Sequence, residues 1–197
     1  MKKVWYVLML VLVVGLVACK KTKESVDENK VAFENKMSFL AGANNYAMEV
    51  SIYDYQTLDS TIVNMVFDGN KTKYQDGSYV AFYDHSGSKT KVYTQILGGF
   101  EVKEVAKKER DFYYKFTYEM FTESNGSYLL KYDQYDALES FSLIAGSDAK
   151  IENVQLDFNT NSLDKISFSI TVDGTKYSVT LTISNVGQSS VQLPEVK

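Results

Sequence analysis

The C-terminal stretch "LDKISFSITVDGTKYSVTLTIS" constrains the fold more than any other. Ile166, Phe168, Ile170 and Val172 alternate with polar residues up to Asp173-Gly174, and Tyr177, Val179, Leu181 and Ile183 alternate back. A period of two puts all the apolar side chains of a strand on one face. Asp-Gly between two such runs is the dipeptide of a tight hairpin, because both turn residues must take positive φ. A chain closing this way must bury one face of an antiparallel sheet.

The same pattern recurs upstream. Tyr46, Met48, Val50 and Ile52 alternate with Ala47, Glu49, Ser51 and Tyr53; Val63, Met65 and Phe67 continue to Asp68-Gly69. Lys71–Gln75 reads as a short strand ending at Asp76-Gly77, and Ser78–Asp84 and Lys89–Leu97 flank the turn His85-Ser86-Gly87. Phe100–Val102, Tyr128–Tyr132, Ile151–Phe158 and Val191–Leu193 complete a set of about nine strands. Three segments carry helical signals. Ser25 and Glu28 have the capping-box spacing, and Phe33, Met37, Leu40 and Ala41 then share one helical face, with Gly42 as a stop. Glu104–Glu123 has no alternation and carries Val105, Phe112, Tyr113, Phe116 and Met120; Asp133 can cap a third helix with Leu138, Phe141 and Ala145, ending at Gly146. The expected class is α+β: a curved antiparallel meander, or half-barrel, with about three helices covering its concave face.

The N-terminal end has its own logic. Lys2 and Lys3 precede an uncharged run, Val4–Ala18, which is short for a span of ~20 residues and has the layout of a secretory signal. Leu16-Val17-Ala18-Cys19 resembles the bacterial lipobox. That resemblance implies cleavage before Cys19 and lipidation of it, so the chain divides into a signal peptide (1–18), a lipidated tether (19–25) and a folded domain (26–197). Cys19 is the only cysteine, which excludes an intrachain disulfide. Residues 19–197 hold nineteen bases against twenty-five acids, a net −6. Nucleic acid is a poor partner for such a chain, because phosphate contacts need clustered Lys and Arg.

A helix leads into "NNYAMEVSI", several strands follow with "DGNKTKYQDGSYVAFYDHSG" between them, a helical middle leads to "GSYLLKYDQYDALESF", and the chain closes with "LDKISFSITVDGTKYSVTLTISNVGQSSVQLPE". This order resembles bacterial lipoproteins of the LolA/LolB/LppX type over about Val26–Lys197. The resemblance implies a half-barrel with helices across its concave side and a lipid or lipoprotein acyl chain between sheet and helices. It does not carry a shuttle role to a tethered chain, and fold likeness alone says little about function.

No catalytic constellation stands out. Asp84-His85-Ser86 has the residue types of a hydrolase triad, but three consecutive hairpin residues do not converge as nucleophile, base and orienter must; Asp, Ser and Gly suit the turn itself. Asp68–Thr72 begins like a calcium loop and lacks the glycine at its sixth position, where Lys73 stands. The carboxylate pairs Glu101/Glu104 and Asp133/Asp136 read as solvated charge and helix capping.

Fifteen Tyr and eleven Phe are a heavy aromatic load for this length. Much of it suits a core and strand surfaces, and the rest suits an apolar cavity. On the concave strand face and the facing helices, the expected lining is Phe33, Met37, Leu40, Met48, Val50, Ile52, Met65, Phe67, Phe116 and Met120, with methionines suited to an acyl chain. The expectation is a non-enzymatic, membrane-anchored lipoprotein on the extracytoplasmic face that binds a lipid or another apolar ligand and needs no cofactor. The alternative is a protein-interaction or structural lipoprotein of the envelope whose core is filled by its own side chains.

Overall fold

The computed structural model describes residues 27–107, 116–135 and 150–196. By density of contacts the chain divides into residues 1–31 and 32–197, with the boundary inside the first helix. In the first unit, Asp27 Oδ1 accepts hydrogen bonds from the amides of Asn29 (3.0 Å) and Lys30 (3.2 Å), and so caps helix α1, Glu28–Ala43. The cap is therefore Asp27 rather than Ser25, which lies outside the described residues. Within the second unit α1 buries Phe33, Met37 and Leu40, spaced i, i+4 and i+7 on one face. Gly42 remains helical, and the helix is ended by Asn44, which takes the left-handed conformation (φ 55°).

Eleven strands follow: β1 (Asn45–Asp54), β2 (Ser60–Asp68), β3 (Lys71–Asp76), β4 (Tyr79–Asp84), β5 (Lys89–Ile96), β6 (Gly99–Ala106), β7 (Phe121–Ser124), β8 (Ser127–Leu130), β9 (Lys150–Phe158), β10 (Leu163–Val172) and β11 (Thr175–Ser184). They form one antiparallel sheet in the order β6-β5-β4-β3-β2-β1-β11-β10-β9-β8-β7. The chain thus starts at the centre, meanders to one edge, restarts at the other edge and meanders back until β11 pairs with β1. Twist makes a sheet of this length curl, in keeping with the curvature expected. A bulge helps at β9, where the register with β10 shifts and Asn153 has φ 57°; the Val154 amide beside it donates to Tyr135 Oη (3.1 Å).

The expected three-helix cover is not found among the described residues. Among the described residues there is one α-helix and a sheet of eleven strands, two more than expected. Glu104–Ala106 belong to β6, because Phe100, Val102 and Glu104 alternate against β5 in register (Gln95↔Phe100, Tyr93↔Val102, Lys91↔Glu104). Tyr118–Met120 make a single 3-10 turn and Phe121–Ser124 are strand. The reason is Asn125-Gly126, which has φ 52° and 82° and so makes a tight hairpin that holds both flanks extended. Residues 108–115 of the second expected helix lie outside the described residues, as do residues 136–149 of the third. The C-terminal Val191–Leu193 is not a strand; the Val191 amide instead donates to Asp68 Oδ2 (3.0 Å).

Candidate hydrophobic groove

One sheet face carries the core. Cross-strand partners share a face, so the registers Met48↔Met65, Val50↔Val63 and Tyr46↔Phe67 align the inward residues of β1 and β2, and Met48↔Ile183 and Val50↔Leu181 extend the row to β11. Val154 and Leu156 on β9, Ile166 and Phe168 on β10, and Tyr128 and Leu130 on β8 continue it. The buried side of α1 belongs to the same cluster.

All ten residues expected to line a cavity meet in this cluster. Phe33, Met37, Leu40, Met48, Val50, Phe67 and Phe116 are buried, and Ile52, Met65 and Met120 are half-buried against them. Most of that volume is filled from within. The Phe33 ring lies 5.1 Å from Tyr128, 5.2 Å from Phe158, 5.7 Å from Phe121 and 5.9 Å from Tyr118. Tyr46 stacks on Phe67 at 4.6 Å. Such offset and edge contacts add stabilisation beyond the area they bury.

Space remains beside the helix. A groove of about 180 Å³ runs between α1 and the segment before the 3-10 turn, lined by Phe33, Met37 and Phe116 with Glu34, Ser38, Ala41 and Thr117. Three of the expected residues thus border open space, and the others are core. Ser38 and Ala41 were not among the expected lining residues, although Ala41 was expected on the same helical face as Met37. Their signal is size: small side chains three apart on a helix leave room where longer ones would close it.

A second cavity, about 360 Å³, lies at the β4–β5 hairpin and is polar, lined by Asp84, Ser86, Gly87, Ser88, Lys89, Lys91 and Glu104. Its charges are already matched: Lys89 Nζ lies 3.4 Å from Glu104, and Asp84 Oδ1 accepts the Ser86 amide at 2.9 Å. That backbone bond, with help from Lys91, holds the Asp84 carboxyl below its usual range. His85 turns inward instead, with Nδ1 2.9 Å from Thr90 Oγ1 and its ring parallel to Tyr83. Asp84, His85 and Ser86 therefore serve the turn.

Asp68 of the calcium-like loop and Glu101 are occupied as well. Asp68 receives the Val191 amide, and Glu101 pairs with Lys103 at 2.8 Å. No group of three or more metal-ligating side chains occurs among the described residues. No helix among them is long and apolar enough to cross a membrane. Cys19 and Asp136 lie outside the described residues. No protein-family model matches the chain, and no curated protein matches it.

Proposed function

We propose that this chain is a membrane-anchored lipoprotein of the bacterial envelope, related to the LolA/LolB/LppX type, whose folded domain binds an apolar chain without chemistry of its own. The observation that carries the binding reading is the groove beside α1, with Phe33, Met37 and Phe116 as its apolar lining and Glu34, Ser38 and Thr117 as its polar lining. Pockets that enclose a whole small ligand measure ~300–1,000 Å³, so this groove suits the end of a chain rather than an entire lipid. The order of helix and meander supports the relationship. Cys19 in its lipobox-like setting supports the anchor and an extracytoplasmic location.

The test is native mass spectrometry of protein purified from cells, paired with titration of a fluorescent fatty acid. A co-purifying lipid mass, and probe uptake that Ala41→Trp weakens by about tenfold or more through filling the groove, are the expected results. A clean apo mass with no probe uptake would sink the binding reading. Cys19→Ser should move the protein from the membrane to the soluble fraction; retention with membranes would overturn the anchor.

A second reading, a protein-interaction domain, is favoured by one observation, the filling of the sheet–helix space by the rings around Phe33. It predicts an unchanged domain with Ala41→Trp and no probe uptake, together with an envelope protein enriched over a control domain anchored in the same way.

A further inference from the structure

In a sheet of antiparallel neighbours the turns fall alternately on two rims. The rim bearing the β2–β3, β4–β5, β7–β8 and β9–β10 turns is polar: Gly69-Asn70, residues 85–88, Asn125-Gly126 and residues 159–162. The opposite rim bears the turns after β1, β3, β5 and β10 and the connection after β8, most of which lies outside the described residues; the four turns are different. Tyr55, Leu58, Tyr79 and Ile96 are about half exposed or more there, and Leu97 at the tip of the β5–β6 hairpin is fully exposed. Tyr55 and Tyr79 pack edge-on against Tyr53 (5.1 Å) and Tyr74 (6.1 Å), but folding does not account for the exposure of Leu58, Ile96 and Leu97. Leu58 is held in the left-handed conformation (φ 63°), unfavourable for leucine, while 69% of it faces solvent. From Val92 to Phe100 the hairpin carries no charge at all.

We infer that this rim rests on a lipid bilayer, with the Leu97 tip reaching past the headgroups. A single convex, uncharged tip needs a pocket in any protein that would cover it, whereas a bilayer takes it without a matching shape. Tyr55 and Tyr79 have the amphipathic side chains that favour the membrane–water interface. The charges on the rim set the depth and the lipid preference. At these four turns Asp54, Asp59, Asp76 and Asp173 stand against Lys176, so this part of the rim stays in headgroup water behind the tip and favours zwitterionic over anionic lipid. The inference rests on the anchor reading for proximity: the seven residues between Cys19 and Asp27 span at most about 29 Å fully extended. A tethered domain needs only weak insertion to adopt one orientation, because the tether supplies a high local concentration.

The single tryptophan, Trp5, lies in the segment that the anchor reading removes before Cys19, so in the lipidated protein any introduced indole reports alone. Leu97→Trp places it on the apolar rim and Asn161→Trp on the polar one, both at exposed positions. The lipidated protein, purified from membranes, is reconstituted in phosphatidylcholine vesicles containing brominated lipid. We expect a blue shift and quenching for Leu97→Trp about twofold or more above Asn161→Trp. Replacing part of the lipid with phosphatidylglycerol at low salt should weaken the quenching. Equal quenching at the two positions, or none for Leu97→Trp, overturns the inference, as does stronger quenching on anionic vesicles. Flotation of the same samples separates the two readings. Protein that floats without quenching at position 97 keeps its anchor and loses this orientation, whereas protein that does not float loses both.

Discussion

At the scale of single residues, Phe33 links the helix to the sheet. Its ring touches Tyr118, Phe121, Tyr128 and Phe158, which come from the 3-10 turn, β7, β8 and β9. Removing it leaves a void those four rings cannot all close, so Phe33→Ala should cost about 3–5 kcal/mol in urea unfolding, and a loss under about 1 kcal/mol would contradict this packing. On the outer face, Asp157 joins three strands. Burial pushes its carboxyl pKa up, but Ser127 Oγ (2.5 Å) and Gln155 Nε2 (2.9 Å) on Oδ1, and the Lys165 ammonium 3.0 Å from Oδ2, outweigh burial and hold it below the usual value. Oδ2 takes no well-directed hydrogen bond and is held as an ion pair. A folded-state pKa below the unfolded value of ~3.9 means that the carboxylate stabilises the fold above about pH 4 and loses that contribution as pH falls through the folded value. Asp157→Asn should therefore lower Tm at pH 7, with a gap to wild type that closes in acid. A gap constant from pH 7 to about pH 3 would contradict the assignment. Phe33 as a buried contact was legible from its i, i+4, i+7 pattern with Met37 and Leu40. The Asp157 cluster was not, because Ser127, Gln155 and Lys165 reach it only through a register that periodicity leaves unspecified.

At the scale of elements, turn chemistry decided more than helical pattern did. Asp173-Gly174 has φ 49° and 81°, the paired positive values of a tight hairpin. A methyl group added at Gly174 would meet nothing within 4 Å, so any cost of Gly174→Ala is backbone strain. We expect ~1–2 kcal/mol lost in thermal or urea unfolding, and an unchanged stability would show that the turn relaxes freely. The hairpins at 173–174 and 68–70 were legible because Asp-Gly sits between clean alternations. The helix expected at 104–123 was not formed where the structure describes it, and Asn125-Gly126 explains why: the same dipeptide that reads as a helix end also closes a hairpin, and pairing with Ser127–Leu130 commits Phe121–Ser124 to strand. Phe fits a pleated surface better than a helix, so Phe121 followed the hairpin. For the groove, the sequence supplied Met37 and Phe116 on its walls but not the gap between them. A gap depends on where Ser38 and Ala41 face the chain near Thr117, about eighty residues away in the sequence.

At the scale of the whole molecule, the sheet is closed at its centre by its first and last strands. Tyr46–Asp54 has β2 on one side and β11 on the other, with registers running from Ala47↔Ser184 to Asp54↔Tyr177. This pairing joins residues more than a hundred positions apart, which makes it entropically costly to form and places it where both faces of the meander depend on it. The two outermost strands are unlike it: β6 is mostly exposed and carries Glu101, Lys103 and Glu104, and β7 has four residues with one of them buried. Charge on a long edge and shortness of the other are both devices that discourage pairing with another chain. Stability should therefore fall from the centre outward. Native-state hydrogen exchange should find the slowest amides on β1, β10 and β11, at Val50, Phe168, Val179 and Leu181, opening only with global unfolding, and faster exchange by local opening on β6 at Val102–Val105. Equal protection at Val102 and Leu181 would mean that the β6 edge is covered, and the placement of that strand at the margin of the fold would have to be abandoned.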